Sequence, residues 1–176
     1  MAVTINGSGV VTGIASGNAG FGKILQVVST LKQDVFTTAS TSYVDVTGLS
    51  ASITPSSTSN LVLVMVSLAL LNSASGTASR GVILRGATII GGGTPAGSRP
   101  AGSFMSRTVT SSLADGSNPK QMTVLDSPAS VSALTYKVQI AAESDTALVN
   151  RGAMNDNDAA GFPRLASSIT LMEVSA

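Results

Sequence analysis

The chain of 176 residues has no histidine, no cysteine and no tryptophan, and only 11% of it is charged. General acid–base catalysis, nucleophile activation and transition-metal binding draw on imidazole, thiolate and clustered carboxylates, so these absences exclude most catalytic designs. No cysteine means no disulfide framework, which fits folding in a reducing cytosol. Charged residues make up about 25% of ordinary domains, so little of this surface is kept wet by charge, and surface undefended by charge is often covered by a partner. Aromatics stand at 3% and the formal net charge is +1. With no Lys/Arg block and no aromatic platform, neither a phosphate-tracking groove nor a base-stacking surface is expected, and nucleic acid is not an expected partner.

What the chain does have is aliphatic residues, hydroxyls and glycine. It is 43% hydrophobic with 18 glycines, and Ser and Thr together make about a quarter of it. That balance favours strands and turns over helices. The most apolar run, Leu61 to Leu71, is about half the 20 residues a membrane helix needs, so it reads as a buried strand and no membrane partner is expected. The opening Met1-Ala-Val-Thr-Ile lacks the basic start and apolar core of a signal peptide, so no export segment is expected.

Residues 1–22 alternate apolar and small residues at Val3, Ile5, Val10, Val11 and Ile14 among six glycines at 7, 9, 13, 17, 20 and 22. Glycine this dense buries little by itself and costs entropy to order, so the segment is expected to be either a flexible leader or an extended arm held by a neighbour as an added strand. From Lys23 to Ala176, short apolar or period-2 runs alternate with Ser/Thr/Gly/Pro punctuation, which marks many short strands in two packed antiparallel sheets. The strands are expected near 24–30, 34–38, 43–47, 49–54, 60–71, 80–85, 87–90, 104–110, 120–126, 134–142, 146–150 and 166–174. The last should lie inside its sheet with Ile169 and Leu171 on one face. Such a strand count without the Cys and Trp core of an immunoglobulin domain favours a jelly-roll β-sandwich.

Gly91, Gly92 and Gly93 lack the Gly-Lys-Ser/Thr ending of a phosphate loop and run on through Pro95 to Pro100, so with Arg99 they read as a longer mobile loop at one end of the sandwich. Asn155, Asp156, Asn157 and Asp158 offer alternating oxygens, but Ala160 and Ser167 fall where a calcium loop needs ligands, so a solvated polar loop is expected and no metal. Paired carboxylates from Glu143, Asp145 and that cluster leave a glycan-cleaving role as a remote alternative, poorly supplied with stacking aromatics. Arg80, Arg85, Arg99, Arg107, Arg151 and Arg164 flank the expected strands, and Arg is the cation suited to interface pairing.

Four stretches carry a resemblance: AVTINGSGVVTGIASG (2–17); KILQVVST with FTTASTSYVDVTGLSASITPSSTSNLVLVMVSL (23–30 and 36–68); LDSPASVSALTYKVQ (125–139); and VNRGAMNDND with RLASSITLMEV (149–158 and 164–174). Together they resemble a family of tailed-bacteriophage virion structural proteins, tail-fibre-like or decoration-type, common among phages of aquatic bacteria. The resemblance implies a leader that docks on the particle, a β-rich head that projects from it, and no catalytic residue or cofactor. Only Asn18 to Gly22 separate leader from head, where many relatives place a longer linker, which points to a short appendage or knob. The expectation is therefore a non-enzymatic virion protein assembled in the bacterial host cytoplasm. Its arm would span residues 1–22 and its jelly-roll head residues 23–176. Its expected partners are two further copies in a homotrimer, other capsid, neck or tail proteins, and a host surface receptor met by the loops carrying Gly91, Gly92, Gly93, Arg99, Asn155, Asp156 and Asp158. A tail or neck fibre leads, with capsid decoration as the alternative.

Overall fold

A computed structural model describes residues 4–5, 11–12, 23–107, 119–152 and 163–176. Every regular element among them is a strand: β1 (Thr4–Ile5), β2 (Val11–Thr12), β3 (Ile24–Lys32), β4 (Phe36–Thr38), β5 (Val44–Ile53), β6 (Leu61–Leu68), β7 (Leu70–Asn72), β8 (Ala78–Arg85), β9 (Thr88–Ile90), β10 (Phe104–Arg107), β11 (Lys120–Asp126), β12 (Leu134–Ala142), β13 (Ala147–Val149) and β14 (Ser167–Val174).

The pairings nest. β3 pairs β14, β4 pairs β13, β5 pairs β12, β6 pairs β11 and β8 pairs β10, all antiparallel. The chain from β3 onward is thus one long double-stranded ribbon, and it rolls up when its layers pair again, β14 with β6, β12 with β8 and β13 with β7. The result is a jelly roll: sheet I in the order β10-β8-β12-β5, with β9 beside β10 along the edge of β8, faces sheet II in the order β11-β6-β14-β3. The short β4-β13-β7 sheet carries the ribbon round one end.

Alternation decides which side chains go between the sheets. Val62, Val64, Val66 and Leu68 of β6 and Ile169 and Leu171 of β14 meet Leu49, Ala51 and Ile53 of β5, Ile83 of β8, Phe104 of β10, and Tyr136, Val138 and Ile140 of β12. The expected inner placement of Ile169 and Leu171 holds, and β14 lies between β6 and β3.

Two expected strands are redrawn. The runs 43–47 and 49–54 form one strand, because β5 carries an irregularity rather than a turn. Lys137 faces Ser50, but Gln139 faces Asp45 where an unbroken ladder would bring Gly48. Gly48 takes φ 81°, a conformation open to glycine. The inserted residues are odd in number, so the inward set switches from half-buried Val44 and buried Val46 to Leu49, Ala51 and Ile53, and all of them stay on the core side. The run 60–71 is instead two strands. At Ala69 the backbone leaves the ladder: its N–H donates to Ser167 Oγ (3.0 Å), and its carbonyl accepts from Asn150 N–H (3.1 Å). Asn150, wholly buried and at φ 63°, also donates to the carbonyls of Lys32 and Asp34 (both 2.9 Å) and accepts from Ser167 Oγ (2.7 Å). One asparagine thereby fastens the ends of β3, β6, β13 and β14, satisfying backbone groups that the sheet change leaves without ladder partners.

Candidate functional site

The outward side of sheet II is built by the residues between the buried ones. Register sets Leu125 of β11 opposite Leu63 of β6, Leu63 opposite Met172 of β14, and Met172 opposite Val27 of β3, an apolar row across all four strands. Beside it run Thr123, Met65, Thr170 and Ser29, then Gln121, Ser67, Ser168 and Leu31, while Leu61, Val174 and Ile24 close the far end. None of these rows contains a charged residue. Several members are well exposed: Val27 at 55%, Leu125 at 56% and Leu31 at 61%. Larger contiguous apolar patches are commonly found where proteins meet partners.

The opposite surface, outside sheet I, is different. Arg80 of β8 and Arg107 of β10 point outward from neighbouring strands, since Met105 faces Arg80 and Arg107 faces Ala78. The loop from Gly91 to Ser103 folds beside them and contributes Arg99. The three arginines, with Tyr43, Thr94, Ser98, Met105 and Glu143, line an open groove of about 840 Å³. Arg80 is held in place: its Nη2 donates to the Thr41 carbonyl (2.6 Å), and its guanidinium lies 5.6 Å from the Tyr43 ring centre. Arg107 donates to the Gly76 carbonyl (3.2 Å). Burial raises the Tyr43 phenol above its ordinary value, and that hydroxyl donates to the Ala101 carbonyl (2.6 Å).

The loop from Gly91 to Ser103 is laced by backbone hydrogen bonds. Gly93 N–H donates to Gly102 O (3.1 Å), Ala96 and Arg99 exchange backbone bonds (3.2 and 3.0 Å), and Ser103 N–H donates to Gly81 O (2.8 Å). Gly91, at φ 64°, lies so close to Val124 that a Cβ there would collide with it. Glycine is needed at that position for packing, and the tip beyond it is a hydrogen-bonded ribbon. Gly92, Gly93 and Arg99 are exposed, and Gly91 is half-buried.

Asn155, Asp156 and Asp158 lie outside the described residues, as do Val3, Val10 and Ile14. Ile5 and Val11 are described only through their backbone, where they stand opposite one another as β1 pairs with β2. Glu143 is committed to the Ala78 N–H (3.0 Å), and Asp145 accepts from the Ser144 hydroxyl in a turn at φ 57°. Among the described residues, no three His, Cys, Asp or Glu side chains gather as metal ligands.

Two polar centres escaped sequence reasoning. Glu173, 1% exposed, accepts from Gln26 Nε2 (2.6 Å), Asn60 Nδ2 (2.6 Å), and the backbone and hydroxyl of Ser56 (both 2.7 Å). Donation from Gln26 foremost, then from Asn60 and Ser56, pulls its carboxyl down to about 2. Its signal was the alternation of β14, which continues Ile169 and Leu171 inward to Glu173. Asp126 accepts from Arg85 (2.6 Å) and from the Tyr136 hydroxyl (2.7 Å), tying β11 of sheet II to β8 and β12 of sheet I. Burial foremost, with the neighbouring carboxylate, raises the Tyr136 phenol far above its usual range. Both centres are structural clamps with their hydrogen-bonding capacity used internally.

No family model matches the chain, and no curated protein matches it. Among solved structures it is similar to the infectious bursal disease virus VP2 subviral particle, at a TM-score of 0.39 and 13% identity over 86% of this chain. The chain spans 37% of the length of that protein.

Proposed function

We propose that the protein is a non-enzymatic structural component of a tailed-phage virion. Its N-terminal arm, with Val3, Ile5, Val10, Val11 and Ile14 as docking side chains, attaches to the particle, and its jelly-roll head projects as a homotrimer forming a short tail or neck fibre. The observation that carries the assembly is the uncharged outer face of sheet II. Four strands spaced about 4.8 Å apart make a wall about 19 Å wide, and three such walls enclose a prism whose sides lie about 5.5 Å from its axis. Sheets that pack face to face stand about 10 Å apart, so side chains reaching about 5 Å from each wall fill that prism without a channel. Closed cyclic symmetry is the usual form for copies of one chain.

The test is sedimentation of the full-length chain. A trimer is the expected result, a monomer removes the assembly, and a dimer keeps the face buried but removes the threefold arrangement. Copy number then separates fibre from capsid decoration: a few dozen or fewer per particle for the former, hundreds for the latter.

A further inference from the structure

The arginine groove outside sheet I is not used by this assembly, which buries the other side of the sandwich. Arg80, Arg99 and Arg107 converge on it, against a single carboxylate, Glu143. The ion pairs among the described residues join Lys32 to Asp34, Arg85 to Asp126 and Lys137 to Asp45, so none of them neutralises a groove arginine. In a chain with ten basic and nine acidic residues, three basic side chains around one concavity are a marked concentration of positive charge. A concave, partly desolvated wall focuses that field.

The geometry is prepared for planar anions. Arg80 is fixed by Thr41 and Tyr43, and its buried Nε finds no acceptor among the described residues. Arg99 stands across the groove on the hydrogen-bonded ribbon, exposed and free of carboxylate partners among the described residues. Guanidinium forks match carboxylates in a way ammonium groups do not. The rest of the lining is mixed, with Ala78, Ala96, Pro100 and the exposed Met105 set among the polar groups. Thr94 and Ser98 offer exposed hydroxyls. Phe104 is buried and Tyr43 is covered by Arg80, so there is no deep apolar pocket for a peptide side chain. Three guanidinium groups lining one open groove together with the hydroxyls of Thr94 and Ser98 suit an extended polymer that repeats carboxylates and hydroxyls.

We propose that this groove binds an acidic polysaccharide, with Arg99 and Arg107 engaging successive carboxylates and Arg80 setting the floor. The site belongs to one chain and does not depend on the trimer, so either can fail without the other. The experiment titrates the full-length protein with polygalacturonate, with a neutral polysaccharide of similar length, with polyglutamate and with inorganic phosphate, using calorimetry at low and at physiological salt. Polygalacturonate should bind at least tenfold more tightly than the neutral polymer and than phosphate, and it should weaken as salt rises. The double variant Arg99→Ala, Arg107→Ala changes exposed positions. It should lose at least tenfold in affinity while keeping the wild-type melting temperature. Equal binding of neutral and acidic polymers, or unchanged affinity in the variant, overturns the proposal. Polyglutamate binding as tightly as polygalacturonate overturns the polysaccharide assignment in favour of acidic peptides.

Discussion

Glu173 shows how one side chain is fixed by its neighbours. A carboxylate buried without a cation is costly unless donors replace water, and here an amide from Gln26, an amide from Asn60 and two groups of Ser56 do so. These donors favour the ionised form, which is why the carboxyl titrates at about 2 rather than near the ordinary value of 4.5. A depressed folded-state value means that the unfolded chain takes up the proton first. The stabilisation is therefore complete above about pH 4.5 and is lost as pH falls from there through about 2. Glu173→Gln keeps one oxygen to accept from Asn60 and Ser56, now uncharged, and sets its amide nitrogen against Gln26 Nε2, donor against donor. Its melting temperature should fall several degrees below wild type at pH 7, and the gap should narrow steadily toward pH 2. Thermal melts of both proteins across that range check it; a gap independent of pH means that Glu173 is not ionised in the fold.

At the scale of elements, the strand pattern was largely legible because burial follows alternation, and alternation is written in the order of side chains. β3, β8, β9, β11, β12 and β14 fall close to their expected places. The sequence misled where alternation changes phase or where a strand changes sheet. Around Gly48 the period-2 signal breaks, which looks like a turn in sequence but is an odd insertion within one strand. At Ala69 the apolar run continues without a mark, since both β6 and β7 are buried, and the break is visible only through the bonds of Ser167 and Asn150. The groove was half legible: Arg99 stood out as a loop residue, but only the pairing of β8 with β10 brings Arg80 and Arg107 to it. Gly48 separates backbone conformation from register. Gly48→Ala meets only Lys32 Nζ at ordinary contact distance, so it should cost about 1–2 kcal/mol for the left-handed conformation alone. Deleting Gly48 makes the insertion even, which turns Val44 and Val46 outward and Asp45 into the core. Urea unfolding should show the first variant with a lowered midpoint and the second without a cooperative transition. A cooperative, near-wild-type deletion variant would mean that the insertion does not set the register of β5.

The whole molecule is a two-sided body, with the clamps at Asn150, Glu173 and Asp126 holding its layers and the two outer surfaces free for different work. Sheet I carries arginines and a hydroxyl-lined trough, while sheet II carries aliphatic rows with threonine and serine between them. A neutral face gives no charge pattern to repel a second copy, and flat β surface packs against its like at sandwich spacing. Met65 lies near the middle of this face, 42% exposed, between Thr123 and Thr170. In an isolated head, Met65→Asp exchanges one exposed side chain for another and should change the stability of the fold by about 0.5 kcal/mol or less. In the proposed trimer it would bring three carboxylates together on a dry axis with no cation beside them, a cost far above the worth of any surface contact. The variant should therefore sediment as a monomer at concentrations where the wild type is trimeric. Its melting temperature should no longer depend on protein concentration, as the wild type's should when assembly adds to stability. A Met65→Asp protein that still sediments as a trimer would place the subunit contacts elsewhere on the sandwich.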